Sequence, residues 1–150
     1  FQADSQPQLL RARREAAIEA MRFLAAYQPR LVGAVLDGTA DAHSAVCLHV
    51  FSDEGEAVEH FLRERGVPVE LQSRRLRISR TEQAEYPVLL FSADGLPFDL
   101  TVLPLDALRQ APLDRIDEKP MRRASLSAVE MLLDEDEQES FERKLAGALR

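Results

Sequence analysis

Cysteine occurs once in this chain, at position 47. No internal disulfide framework can therefore hold the fold, and the usage fits a reducing cytoplasm. No apolar run approaches the ~18 residues of a membrane span, and no signal-peptide pattern precedes the first charged segment, so no membrane association is expected. Lysine is scarce, two against seventeen arginines, a bias that a genome's nucleotide composition explains as readily as a need for planar guanidinium groups. Several catalytic signatures are also missing: the Gly-x-Ser-x-Gly elbow, the P-loop lysine motif, the His-Glu-x-x-His pair and the dinucleotide-binding glycine fingerprint. Nucleophilic catalysis has little support in their absence. Neither internal repeats nor low-complexity segments occur.

What is present describes an ordinary folded domain. At 150 residues, 45% hydrophobic and 30% charged, the chain is the size of one domain and far from the composition of disorder. Its net charge of -7 argues against nucleic-acid binding over the whole surface, because phosphate neutralisation needs concentrated Lys and Arg; a local basic patch stays open. The chain opens on Phe1 rather than Met, and residues 1–7 are expected to be disordered or an expression remnant. The domain is placed at 8–150, with a core over 10–103 and a helical part over 105–150.

Taken in order, Leu10, Ala17, Ile18, Met21, Leu24 and Ala25 recur at helical spacing between charged residues, predicting an amphipathic helix from Gln8 to Tyr27 that Pro29 ends. Leu31 to Leu36 is short, apolar and bounded by Pro29 and Asp37-Gly38, which predicts a buried strand. A loop follows from Gly38 to Ser44, then a strand from Ala45 to Phe51. Asp53 is expected to cap a helix whose face is Ala57, Val58, Phe61 and Leu62 and which Gly66 stops. Alternation predicts two half-buried strands around a Gln72-Ser73 turn, then a hairpin of Pro87 to Phe91 and Leu96 to Val102 around Ser92-Ala93-Asp94-Gly95. After Pro104 a short turn near Leu105 to Arg109 precedes two helices, Pro120 to Leu133 and Asp136 to Leu149, with Pro120 in first position. The acidic run from Asp134 to Glu139 is read as a solvated junction favouring the last helix's N-terminus. The whole predicts an α+β or small α/β fold, a mixed sheet with helices packed on it.

Three features carry chemistry: Gly38-Thr39 after an apolar run, Cys-Leu-His-Val-Phe at 47–51, and Phe-Asp-Leu-Thr-Val at 98–102, where Asp99 interrupts an apolar strand. A carboxylate in such a place is costly without a partner. Together these features resemble the minimal nucleotidyltransferase domain over roughly residues 10–103. Such domains have a strand ending in a glycine followed by Ser or another small residue, then a strand with two acids one residue apart, and later a strand with a third acid. The resemblance implies that Gly38-Thr39 is the phosphate-binding turn, nine residues before Cys47, that Cys47 and His49 stand where the first two acids would be, and that Asp99 is the third.

The family's chemistry is transfer by two magnesium ions about 3.5 to 4 Å apart. Magnesium takes hard oxygen ligands, which a thiol and an imidazole do not supply, so the resemblance implies a domain that has lost this transfer. Alternate residues of a strand face one way, so Cys47 projects with His49 and Asp99 with Thr101, and neighbouring strands in register would bring Cys47, His49 and Asp99 together. Three readings stay open. One is a degenerate domain still binding a nucleotide or phosphate through Gly38 and Thr39, with arginines such as Arg74, Arg75, Arg77 or Arg80 in its cleft. Another is an enzyme with an altered, zinc-type site of Cys47, His49 and Asp99, with His43 as a further neighbour. The last is a scaffold whose terminal helices bind a protein partner or form a dimer. The plainer alternatives are a buried cysteine acting as a small hydrophobe, a histidine paired with a carboxylate, and arginines forming the wet face of a strand.

Overall fold

The structure is a computed structural model that describes residues 6–149. Most of the 1–7 stretch set aside above lies outside the described residues; Gln6 and Pro7 open the first helix, α1, which runs Gln6–Phe23. Five strands follow in a single mixed sheet: β1 Arg30–Val32, β2 Val46–Phe51, β3 Glu70–Arg77, β4 Gln83–Ala93 and β5 Leu96–Leu103. Their spatial order is β1-β2-β5-β4-β3. β2 and β5 are parallel, while the other neighbours are antiparallel. The crossover between β2 and β5 contains α3, Ala57–Glu64, and the long β3-β4 hairpin. This is an α+β fold, as the alternating and helical periodicities predict.

The sheet is covered on one face. Val46, Leu48 and Val50 of β2 and Phe98, Leu100 and Val102 of β5 pack with Ala17, Ile18, Met21 and Leu24 of α1 and Val58 and Leu62 of α3 in one continuous core. Burial of these apolar side chains is the main source of stability. An aromatic cluster extends it, with Phe61 edge-on to both Phe23 and Tyr27 at ring separations of 5.3 and 5.4 Å.

Four local expectations are corrected. The apolar run at 31–36 is a strand only as far as Val32. Gly33, at φ 77°, then turns the chain into a five-residue helix, α2, Gly33–Asp37. Val35 and Leu36 are fully buried within it, so strand and helix alike read as unbroken apolar sequence. Gln72 and Ser73 do not turn; they pair with Val88 and Pro87, and the eleven residues of β4 keep β3 extended throughout. The turn falls instead at Ile78–Glu82, where Ile78 N–H donates to the Glu82 carbonyl and the Ser79 hydroxyl accepts from the amides of Thr81 and Glu82. Asp53 does not cap α3; its carboxylate accepts from the Leu105 amide at 3.0 Å.

The last correction concerns the C-terminal part. Pro120 opens no helix, because the chain from Pro120 to Ala124 stays extended: Pro120 bridges to Leu113, and Ala124 exchanges two backbone hydrogen bonds with Leu31 at the free edge of β1. One helix, α4, Leu126–Ala148, then replaces the expected pair, with the Ser125 hydroxyl accepting from the Ala128 amide as its cap. The acidic run lies inside α4 and not at a junction. Asp136 meets Arg14 at 2.7 Å and Glu137 meets Arg11 at 3.2 Å, which ties α4 to α1. Beyond Ser140 the helix is exposed on all sides, Phe141 and Leu145 included, as is Leu149 just past its end. No helix among the described residues is long and apolar enough to cross a membrane.

Two arginines of α1 belong to the interior although their sequence positions read as solvent-facing. Arg14 is 5% exposed and donates to the carbonyls of Val35 and Leu36, both at 3.0 Å. Arg13 donates to the carbonyls of Ala42 and Ser44 in the loop before β2. Each guanidinium satisfies carbonyls that would otherwise lack partners at a helix end or in a loop.

Candidate functional site

The strand alternation that places six apolar side chains in the core points their neighbours to the opposite face. Cys47 lies directly beside Asp99, and His49 beside Thr101, in the parallel β2-β5 register. The expected convergence of these positions on one face is therefore met. Phe51 and Leu103 continue the same rows and are buried. The guanidinium of Arg123 stacks over the Phe51 ring at 5.4 Å and donates to the carbonyls of Ala107 and Leu108. The segment from Pro104 to Ala124 thus returns across this end of the face.

Between that segment and the sheet lies a cavity of about 580 Å³, whose lining includes Gly33, Cys47, His49, Arg74, Asp99 and Thr101. Its outer wall is the loop carrying Leu113, Asp114, Arg115 and Ile116, fastened to β3 by a hydrogen bond from the Leu113 amide to the Arg77 carbonyl. The volume lies in the range of small-molecule sites.

Arg74 dominates the chemistry of the cavity. Its two terminal nitrogens donate to the two carboxylate oxygens of Asp99 at 2.9 and 2.7 Å, and one of them also donates to the Thr101 hydroxyl at 2.9 Å. This is the planar two-point pairing for which guanidinium is suited. The hydrogen bond to Asp99 raises the pKa of Arg74 against the opposing effect of burial. Asp99, the carboxylate that sequence singled out, is thereby neutralised from within the protein.

Its two neighbours are electrically quiet. His49 is 2% exposed, and burial, with the positive charges of Arg123 and Arg74 behind it, pushes its pKa down to about 4. It is a neutral imidazole at pH 7. Among the described residues its Nδ1 is the one buried side-chain nitrogen or oxygen with no hydrogen-bond partner. Burial and the Asp99 charge push the Cys47 thiol up to about 11, so it remains protonated, its sulfur near the Ala45 carbonyl at 3.7 Å. A protonated thiol is a poor nucleophile and a poor metal ligand.

This donor set does not fit magnesium, which needs several hard oxygens. Nor do Cys47, His49 and Asp99 assemble as the expected zinc set: among the described residues no three His, Cys, Asp or Glu side chains are grouped to hold a metal ion. The arginine fork occupies the set's one carboxylate, and the expected fourth group, His43, is exposed in the loop with its amide donating to Asp41.

The expected phosphate turn lies elsewhere. Gly38 is the left-handed residue that ends α2, and the amides of Gly38 and Thr39 both donate to the Ala34 carbonyl. Neither amide is free for a phosphate. Gly38 lines a separate cavity of about 360 Å³ with Leu10, Arg11 and Asp136. Arg75 and Arg77 miss the cavity as well, since Arg75 faces Glu85 across the hairpin and Arg77 pairs with Glu118 and with the Arg80 carbonyl.

The glycine that does face Cys47 is Gly33. A methyl group there would lie 3.6 Å from the Cys47 Cβ, and its φ of 77° disfavours any side chain. The signal was available in Val32-Gly33-Ala34, a glycine followed by a small residue; the Asp37-Gly38 pair nearby is an ordinary helix stop. Arg74 was named among four arginines with nothing to separate it from the rest until register placed it. No protein-family model matches the chain, and no curated protein matches it.

Proposed function

We propose that the chain is a nucleotidyltransferase-like domain that no longer performs two-metal nucleotidyl transfer and that binds a nucleotide-class ligand in the cavity between Gly33 and Asp99. What supports the likeness is the order of parts. β1 ends at Val32, Gly33-Ala34 opens α2, β2 bears two side chains one residue apart at 47 and 49, and β5 sets Asp99 beside the first of them. The glycine-to-strand relation expected of Gly38 is better met by Gly33.

The observation that carries the loss of transfer is the Arg74 fork on Asp99. An organic cation fixed by two hydrogen bonds balances the remaining carboxylate, where the family's reaction would use metal ions. A binding role is supported by the volume of this half-open cavity and the few polar groups converging in it. A cytoplasmic location belongs to the same reading, supported by the single, unbridged Cys47.

Purified protein incubated with labelled nucleoside triphosphates and magnesium should yield no transfer product. Robust incorporation that Asp99→Asn abolishes would sink the proposal. For binding, a panel of nucleosides and nucleotides at millimolar concentration should raise the melting temperature by mass action.

A further inference from the structure

The helix-covered face of the sheet has a cavity of its own. α3 ends at Glu64, and Gly66, at φ 77°, redirects the chain into Val67 and Pro68. Between that segment, the second half of α1 and the β4-β5 hairpin lies a hollow of about 330 Å³. It stands on the opposite side of the sheet from the cavity between Gly33 and Asp99, because Phe98, Leu24 and Leu62 in its lining belong to the main core.

The walls are aromatic and aliphatic. Phe91 stacks on Phe98 with ring centroids 5.1 Å apart and planes within 3°, and Phe23 contributes a ring left 45% exposed. Small side chains stand among these rings, Ala16 and Ala20 on α1 and Ala93 on the hairpin. A larger residue at any of the three would take up the space. The volume suits one small molecule, whereas a partner helix or strand needs a longer groove.

The charged side chains of the lining are Glu19 and Asp94, both exposed carboxylates, and no Lys or Arg accompanies them. Neither acid has an ion-pair partner among the described residues. On α1 this sets Glu19 apart: Arg11 pairs with Glu15, Arg14 with Asp136 and Arg22 with Glu130, while Arg13 is committed to loop carbonyls. Two like charges beside low-dielectric walls focus a negative potential into the space. Aromatic ring faces attract cations in the same sense. The other cavity differs in that Arg74 already satisfies its Asp99 carboxylate.

We propose that this hollow binds a small organic cation, a primary amine on an aromatic body. The body packs among Phe23, Phe91 and Phe98, and the ammonium is directed toward Glu19 and Asp94. An anion of the same shape meets two carboxylates and no counter-charge, and a neutral analogue gains the apolar contact alone. The site is independent of the nucleotide-class reading, which concerns the other face of the sheet.

The test uses tryptamine, tryptophol and indolepropionate, which share an indole body and end in an ammonium, a hydroxyl and a carboxylate. Each is titrated to millimolar concentration into isotope-labelled protein while amide NMR shifts are followed. Tryptamine should move the amides of Ala20, Val67 and Ala93 and bind about tenfold or more tightly than indolepropionate. One exposed carboxylate contributes little, but the swing between the two ligands counts attraction and repulsion at both acids. Glu19→Gln with Asp94→Asn, at exposed positions, should bring tryptamine down to the affinity of tryptophol and leave tryptophol unchanged. Ala20→Leu should weaken tryptamine and tryptophol alike by filling the hollow, and Ala93→Phe does so from the exposed hairpin should the helix variant disturb folding. Indolepropionate binding as tightly as tryptamine, shifts confined to other surfaces, an undiminished preference in the double variant, or no response to tryptamine would each overturn the proposal.

Discussion

The two faces of the sheet are built from the same strands and differ in nearly everything else. On the helix side, β2 and β5 present Val46, Leu48, Val50, Phe98, Leu100 and Val102, all buried and apolar. On the other side, one residue out of step, they present Cys47, His49, Asp99 and Thr101 beside a cavity. The first face obeys the rule that burial follows hydrophobicity. The second buries a histidine and a threonine to 2% exposure and pairs a carboxylate with an arginine from two strands away. Polar groups enclosed at such cost mark the face whose composition stability alone does not explain.

The largest effect should come from breaking the apolar face. Leu48→Ala removes a fully buried side chain and is expected to cost about 3 kcal/mol, since the rigid core relaxes only partly into the space. Urea unfolding monitored by circular dichroism checks it.

His49 should give the next largest effect, and only in acid. Its pKa is about 4 when folded against an ordinary value of 6.5, so the unfolded chain binds its proton first. Stability is complete above pH 6.5 and falls as pH drops toward 4, at no more than about 1.4 kcal/mol per pH unit. Comparison of unfolding free energies at several pH values should show this slope in the native protein and not in His49→Gln. A slope of equal size in both would remove the electrostatic difference between the faces.

Arg74→Ala should cost less, about 1 to 2 kcal/mol, because its side chain is 41% exposed and water screens part of the loss. Adding Asp99→Ala should recover part of that cost, and a double-mutant cycle measures the coupling. The smallest effect belongs to Phe141→Ala on the exposed end of α4, at 65% exposure; it should stay within about 0.5 kcal/mol. A larger, concentration-dependent change would identify that end of α4 as a contact surface.

The helix-covered face was legible in sequence because period is local. The spacing of Ala17, Ile18, Met21 and Leu24 and the alternation through β2 and β5 needed no knowledge of the rest of the chain. The same alternation correctly set Cys47 with His49 and Asp99 with Thr101. What it missed depended on distant partners. Gln72 and Ser73 stay extended because β4 is long, and Pro120 to Ala124 stays extended because Leu31 offers an edge. Gly33 was hidden inside an apolar run whose strand and helix are both buried. Arg74 could be separated from Arg75 and Arg77 only once the β3-β4-β5 register was known, since that register decides which arginine reaches Asp99.

Helix α2 joins these observations mechanically. It is five residues long, from Gly33 to Asp37, so it works as a short strut with two anchored ends. One end stands in the cavity, where a side chain added at Gly33 would meet Cys47. The other is gripped by Arg14, which holds the carbonyls of Val35 and Leu36 with two nitrogens and Asp136 of α4 with the third. The acidic stretch of the last helix is therefore the outer fastening of the cavity's glycine wall, through one guanidinium and a single turn and a half of helix.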